Sequence, residues 1–462
     1  MSLLRPDQMV EHALLASRSD GCVVLVEEST HANLRWASNT LTTNGQARQR
    51  WMTVVALNGE GPDTCAGAVS RCVGDTADID ALVGMAELVA SRTPPEESAR
   101  PLVAGEAADD FADPPAQAGI DVFAGLAGSL GDVLGTAAGS DLLLYGYAEY
   151  VVATTYLGTS AGVRHRHVQP AGHLTMTAKS ADLQSSTWVG QATRDFSDVD
   201  VHVMDRGLRR RIEWCRRSVD LAPGRHPTVL PPTAVADLAV SAYWEMAALT
   251  AHEGRTVYAQ PGRGTRVGQR MVDPRVTLRS DPSYPGLGCA PVVMAAASGP
   301  TSSVFDNGIP VEPTRWVDHG TLTSLVQTRH SADLTSLPLT PAVDNLVLEV
   351  DGGAGDVDDL VARLDSGVLL TSLWYIREVD PRTLLLTGLT RDGVFLVDGG
   401  EVVGAATNFR FNESPIEILR RIRDAGATVP SFSREWGEWF PRTATPPLTV
   451  EGFHFSTVSD AL

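Results

Sequence analysis

Three histidines, His165, His167 and His173, fall in one strand-like stretch, and neutral imidazoles are good zinc ligands. Alternation along a strand puts residues 165 and 167 on one face. Arg164 and Arg166 flank that pair, and their positive charge opposes a metal dication, so a solvent-facing strand is the competing reading. The dipeptide His252-Glu253 invites a second metal reading, because two histidines four residues apart on a helix can hold zinc with the glutamate as general base. Position 256 is Thr, however, and Gly254 follows at once. The segment therefore reads as a helix end whose histidine sits near the last carbonyls.

Nucleophilic chemistry finds less support. The chain has no G-x-S-x-G elbow, and Ser298 to Ser303 reads as a loop. Its five cysteines, Cys22, Cys65, Cys72, Cys215 and Cys289, form neither C-x-x-C pairs nor a dense framework, which suits a reducing compartment. The glycine-rich stretch from Gly262 to Gly268 lacks the G-K-[ST] ending of a phosphate loop. A formal net charge of −19 repels phosphate backbones and anionic membranes, so no nucleic acid or membrane partner is expected. The start turns charged by Arg5 and Asp7, before an apolar segment develops, and no later run offers about 18 uninterrupted apolar residues. A cytoplasmic protein is expected.

The elements that would carry these residues can be read from periodicity. Residues 7–16 and 78–91 show amphipathic helical patterns, while residues 22–27, 32–37 and 50–57 read as strands of an antiparallel meander. Residues 93–119, rich in Pro, Ala, Glu and Asp, read as an acidic, exposed connector. Strands resume at 142–147 and 149–156 and continue through 162–177, and residues 196–222 carry an Arg-rich helical pattern. Turn formers at Pro223-Gly224 mark a boundary between a domain at 1–222 and one at 223–462. The second opens with a long apolar helix at 233–251 and then reads as mostly short antiparallel strands, with a helix at 414–423. The fold class expected is α+β in two domains, the first a mixed antiparallel sheet with helices and the second β-rich.

The run Thr387-Gly388-Leu389-Thr390-Arg391-Asp392-Gly393, the turn Asp398-Gly399-Gly400 and the strand Asn408-Phe409-Arg410-Phe411-Asn412-Glu413-Ser414 closely resemble the C-terminal signature of the TldD/TldE (PmbA) peptidase family. Physically they read as a hairpin, then a strand ending at a Ser N-cap. The early Asn33 to Asn39 strand, the helix from Pro232, Phe305-Asp306-Asn307-Gly308 and the closing Pro446 to Phe453 are similar to the family in the same order. TldD-like members carry H-E-x-x-x-H on the central helix and a cysteine near the C-terminus, which together hold zinc. Here residues 235–246 contain no histidine, and no cysteine follows Cys289, so the chain resembles the TldE-like subunit and the metal ligands do not carry over.

The resemblance implies a partner, a TldD-like catalytic subunit holding the zinc in a heterodimer or higher oligomer, with no cofactor in this chain. It implies an extended, unfolded or leader peptide as substrate. Candidate peptide contacts are Arg391, Arg410 and Asn412, with ion-paired structural arginines and a turn-shaping role for Asn412 and Glu413 as alternatives. Two other readings stay open: an autonomous metallopeptidase using His165, His167 and His173, and a regulatory binding protein of the kind called modulators of DNA gyrase.

Overall fold

The computed structural model describes residues 4–73, 75–262 and 264–459. Met1–Leu3, which open the targeting argument, and Arg263 of the glycine-rich stretch lie outside the described residues. The first half builds one antiparallel sheet from β1 (Gly21–Ala37), β2 (Thr40–Asn58), β3 (Cys65–Cys72), β4 (Leu142–Thr159), β5 (Arg164–Ser180) and β6 (Ser186–Thr193), ordered β3-β2-β1-β4-β5-β6. The two short strands expected at 22–27 and 32–37 are one strand, as are those at 142–147 and 149–156. The polar residue that hid this is Glu28, fully buried and held by Arg48 and by Arg50, whose Nε donates to it at 2.8 Å. Those cations replace the water a buried carboxylate would otherwise need.

A strand of 17 residues runs about 55 Å, whereas a helix of 15 residues is about 22 Å long, so one face of this sheet needs two helix pairs end to end. Helices α1 (Pro6–Ala16) and α2 (Thr76–Ala90) cover one end through Met9, Val10, Ile79 and Leu82 against Val24, Val26, Met52 and Val54. The other end is covered by α3 (Ala124–Ala138) and α4 (Val201–Cys215), which bury Leu126, Leu130, Val133 and Leu208 against Leu34, Trp36 and Leu174. The sequence reading contained no helix at 124–138. With the short turn before it, Ile120–Ala138 is apolar and long enough to cross a membrane, and its apolar residues are spent on this core. The Arg-rich helix is shorter than its pattern, starting only where Asp200 caps the Val203 amide at 3.0 Å.

The segment at 93–119 does not stand off in solvent as its composition suggested. Phe111 is buried against Tyr156, Ala116 and Ala118 donate backbone N–H groups to Thr154 and Thr30, and the Tyr156 hydroxyl donates to the Asp113 carbonyl at 2.5 Å. Its main chain finds partners in the buried threonines of β1 and β4, which pattern counting treats as outward polar positions.

The second half opens with β7 (Gly224–Leu230), then α5 (Pro232–Trp244) and α6 (Ala248–His252). The expected single helix at 233–251 breaks because Met246 accepts from Val326 N and Ala248 donates to Val326 O, drawing the chain out of helical pairing. A small sheet follows, made of β8 (Val276–Ser280), β9 (Thr314–Asp318), β10 (Thr321–Leu322), β11 (Leu346–Val350), β19 (Val429–Ser431) and β20 (Thr443–Thr445), while α7 (Arg329–Thr335) packs against α6. The larger sheet combines β7 with β12 (Ser366–Leu370), β13 (Leu373–Asp380), β14 (Leu385–Thr390), β15 (Val394–Asp398), β16 (Glu401–Ala405), β17 (Asn408–Glu413), β18 (Ile422–Ala425) and β21 (Leu448–Ser459), joined by α8 (Val357–Ala362) and α9 (Pro415–Arg420). Pairing is antiparallel except β11 with β20 and β12 with β7. The β15–β16 hairpin turns where expected, at Gly399 and Gly400 with φ of 60° and 80°. Ser414 does precede α9, but its hydroxyl donates to Thr383 O instead of capping the helix, and after Arg420 the chain goes into β18, so the helix expected at 414–423 is shorter. The architecture is α+β.

Candidate functional site on the central helix and the cleft beside β17

Helix α5 is buried on every side, from Ala234 through Tyr243, as an apolar helix without a polar stripe must be. Its one carboxylic acid is Asp237, fully buried. Oδ1 accepts from the Ser433 hydroxyl and from Glu435 N at 2.9 Å, while Oδ2 is buried without a partner among the described residues. Burial raises this carboxyl to about 7, the bonds from Ser433 and Glu435 N opposing the rise. Trp436 closes the knot, its Nε1 donating to Asp237 O at 3.1 Å and to Ser241 Oγ at 3.0 Å.

The same loop carries Arg434, buried and stacked between the rings of Trp188 and Trp374, with its Cζ 4.7 and 5.2 Å from their centroids. It pairs with Asp392, which also accepts from Ser186 at the start of β6, so the first sheet, the β14–β15 loop and residues 433–436 meet at one ion pair. Glu435 accepts from Tyr375 N at 2.8 Å, Ile376 N at 3.1 Å and Arg377 Nη1 at 3.2 Å. Of these residues the sequence singles out only Asp392, within the C-terminal signature; the other visible signal is a lone Asp in an apolar helix.

The residues around α5 do not fit zinc. Its polar groups are a carboxyl tied to a hydroxyl and an amide, and a second hydroxyl tied to an indole, whereas zinc sites use three or four thiolate, imidazole or carboxylate donors. The histidine trio is not gathered either. His165, His167 and His173 share the odd-numbered face of β5, but eight residues of strand separate the outer two by about 26 Å. His167 Nε2 meets Gln169 Oε1 at 3.0 Å and His173 stacks on Phe432 at 5.2 Å, so this face is half-buried against the second half of the chain, not turned to solvent. Burial lowers the proton affinity of all three. His252 is the last residue of α6, and Glu253 pairs with Arg255. Among the described residues no three His, Cys, Asp or Glu side chains converge as a metal would require.

The three candidate peptide contacts are also separated. Arg391 lies in the β14–β15 loop, 6.0 Å over Trp374 and 3.7 Å from Asp392, which makes it part of the Arg434 junction. Arg410 is exposed on β17, with one long contact of 3.5 Å to Thr387 Oγ1. Asn412, two residues on, lines a cleft of about 590 Å³ together with Arg225, Arg266, Arg382, Arg420 and Arg421. Glu413 at its floor is buried, accepting from Arg421 at 2.6 Å, Arg225 at 3.2 Å and His454 N at 2.8 Å; burial raises its carboxyl in spite of those cations. The turn-shaping reading of Glu413 gives way to that of a buried anchor between β7, β21 and α9.

Comparison with known proteins agrees with this architecture. A family model described as the PmbA/TldA metallopeptidase C-terminal domain matches residues 223–457, more than half of the chain. No curated protein matches. Among solved structures, TldE from Thermococcus kodakarensis superposes with a TM-score of 0.77 at 15% identity, over 97% of this chain and 99% of that one. A protein from Thermotoga maritima described as a candidate modulator of a DNA gyrase gives 0.76 at 14% identity, with 97% and 99% covered. A similarly described protein from Bacteroides thetaiotaomicron gives 0.76 at 14%, with 98% of each chain covered. Those likenesses are of fold; the family match covers the half of the chain that holds α5, the Asp392–Arg434 junction and the β17 cleft, and on it the chain belongs to the PmbA/TldD metallopeptidase family.

Proposed function

We propose that the chain is the TldE-like, non-catalytic subunit of a two-subunit zinc metallopeptidase that degrades or processes unfolded or leader peptides, the zinc being held by a TldD-like partner. The observation that carries this is α5: where the resemblance places H-E-x-x-x-H, the helix offers a single carboxyl, Asp237, buried and tied through Oδ1 to Ser433 and the Glu435 amide, with no histidine beside it. A helix kept fully buried without ligands acts as scaffold. Arg410 and Asn412 are the peptide contacts best placed in this reading, with Arg391 acting through the Arg434 junction. The cytoplasm suits the five free cysteines, of which buried Cys22 and Cys289 and half-buried Cys215 are pushed up to about 11 by desolvation and held as thiols.

The test is cleavage of an unfolded peptide by this chain, by a TldD-like chain bearing H-E-x-x-x-H, and by their mixture, each with and without chelator. Cleavage that needs the mixture and is abolished by chelator is the expected result. Chelator-sensitive cleavage by this chain alone would overturn it.

A further inference from the structure

In a chain of net charge −19, the cleft beside β17 is lined by five arginines against two glutamates, a surplus of three positive charges. Glu413 is saturated by Arg225, Arg421 and the His454 amide, and Glu417 is taken by Arg420. That leaves Arg266 and Arg382, neither of which has an ion-pair partner among the described residues, and the Nε of Arg266 is buried with no hydrogen-bond acceptor among them. A guanidinium nitrogen removed from water and left without an acceptor is a donor awaiting one. The planar guanidinium groups of arginine suit a planar oxyanion gripped by two parallel N–H bonds.

The rest of the lining selects among oxyanions. Val257, Leu385 and Ile416 bring apolar surface to the same cleft, and its volume, about 590 Å³, admits a residue or two rather than a lone ion. Asn412, at the end of β17, adds an amide able to bond a peptide main chain. We infer that this cleft binds the C-terminal carboxylate of a peptide whose last side chain is apolar, with Arg266 and Arg382 as the carboxylate fork. The inference rests on the peptide-handling reading above, which it deepens by naming which end of the peptide is held.

The experiment is fluorescence anisotropy of the purified chain with an N-terminally labelled octapeptide ending in leucine, prepared as free acid and as C-terminal amide. Binding of the free acid at least tenfold tighter than the amide, with the difference lost in Arg266→Met/Arg382→Met, is expected. A Lys pair at the same positions should restore part of the preference, since it returns charge without the fork, and thermal melting of each variant controls for folding. Equal binding of acid and amide, or a preference that survives in the Met pair, overturns the inference. Inorganic phosphate provides a further arm: displacement of the free acid by phosphate in competition supports a shared oxyanion site, whereas phosphate binding lost in the Met pair without acid-over-amide preference overturns the carboxylate assignment. Because binding is read on this chain alone, its failure is separable from failure of the two-subunit cleavage assay.

Discussion

The guanidinium of Arg434 pairs with the carboxylate of Asp392 in the space between Trp188 and Trp374, joining a strand of the first sheet to two loops of the second half. Asp392 is buried to 5% exposure, the Arg434 side chain is 9% exposed, and Asp392 holds a left-handed backbone with φ of 55°. Removing one partner strands the other charge away from water. Arg434→Met is expected to cost about 3–5 kcal/mol in urea unfolding, and Arg434→Met/Asp392→Asn to recover much of that loss because Asn tolerates the same backbone. Strict additivity of the two changes would show that the pair is not coupled.

The carboxyl of Asp237 links stability to pH. Burial raises it to about 7 in the folded chain from an ordinary 3.8, so the folded state prefers the protonated form. Its contribution is complete below pH 3.8 and is lost as pH rises through 7, a swing of roughly 4 kcal/mol. Asp237→Asn keeps the acceptor for Ser433 and Glu435 N and removes the titration. The variant should gain on the parent in melting temperature between pH 5 and pH 8, and parallel curves would refute the assignment.

Val304 and Phe305 reach from the second half into a cluster with Val23, Leu25, Val55 and Leu157 of the first sheet, while the main core of the second half is built from residues beyond 229. We propose that residues 1–222 and 223–462 are separate folding units, and that the second folds cooperatively alone. The first, lacking Phe305, should expose its Val23 and Leu157 surface and be the less stable piece. In the whole chain Phe305→Ala should cost about 3–5 kcal/mol. Circular dichroism melts of both pieces check this, and an unfolded 223–462 fragment would count against it.

Arg410 is the cleaner of the two arginines for a charge-reversal test. Placing a carboxylate at Arg391, beside Asp392, would disturb the Arg434 pair and confound binding with folding. Arg410→Glu should leave stability within about 0.5 kcal/mol, as expected for an exposed side chain with one long contact. Peptide turnover by the mixed complex should fall about tenfold, the equivalent of one lost charge-assisted contact. Unchanged turnover would remove Arg410 from the peptide path.

By itself the sequence determined the features that local chemistry decides: the helices at α1 and α2, the strand character of the stretches in β1, β2 and β4 though not their continuity, the hairpin turning at Gly399 and Gly400, and the absence of histidine from the central helix. Each depends on residues within a few positions of one another, where periodicity, turn preference and ligand spacing act. Tertiary structure decided where charge could be buried. Glu28 sits inside a strand because Arg48 and Arg50 neutralise it, Asp237 inside a helix because Ser433 and Glu435 N lie almost two hundred residues away, and α5 stops where Val326 takes its next hydrogen bonds. The cleft arginines, drawn from positions 225, 266, 382, 420 and 421, become one site only when β7, β14, β17 and α9 meet. A buried charge is tolerable only when its distant partners arrive, and that pairing leaves no local pattern in the chain.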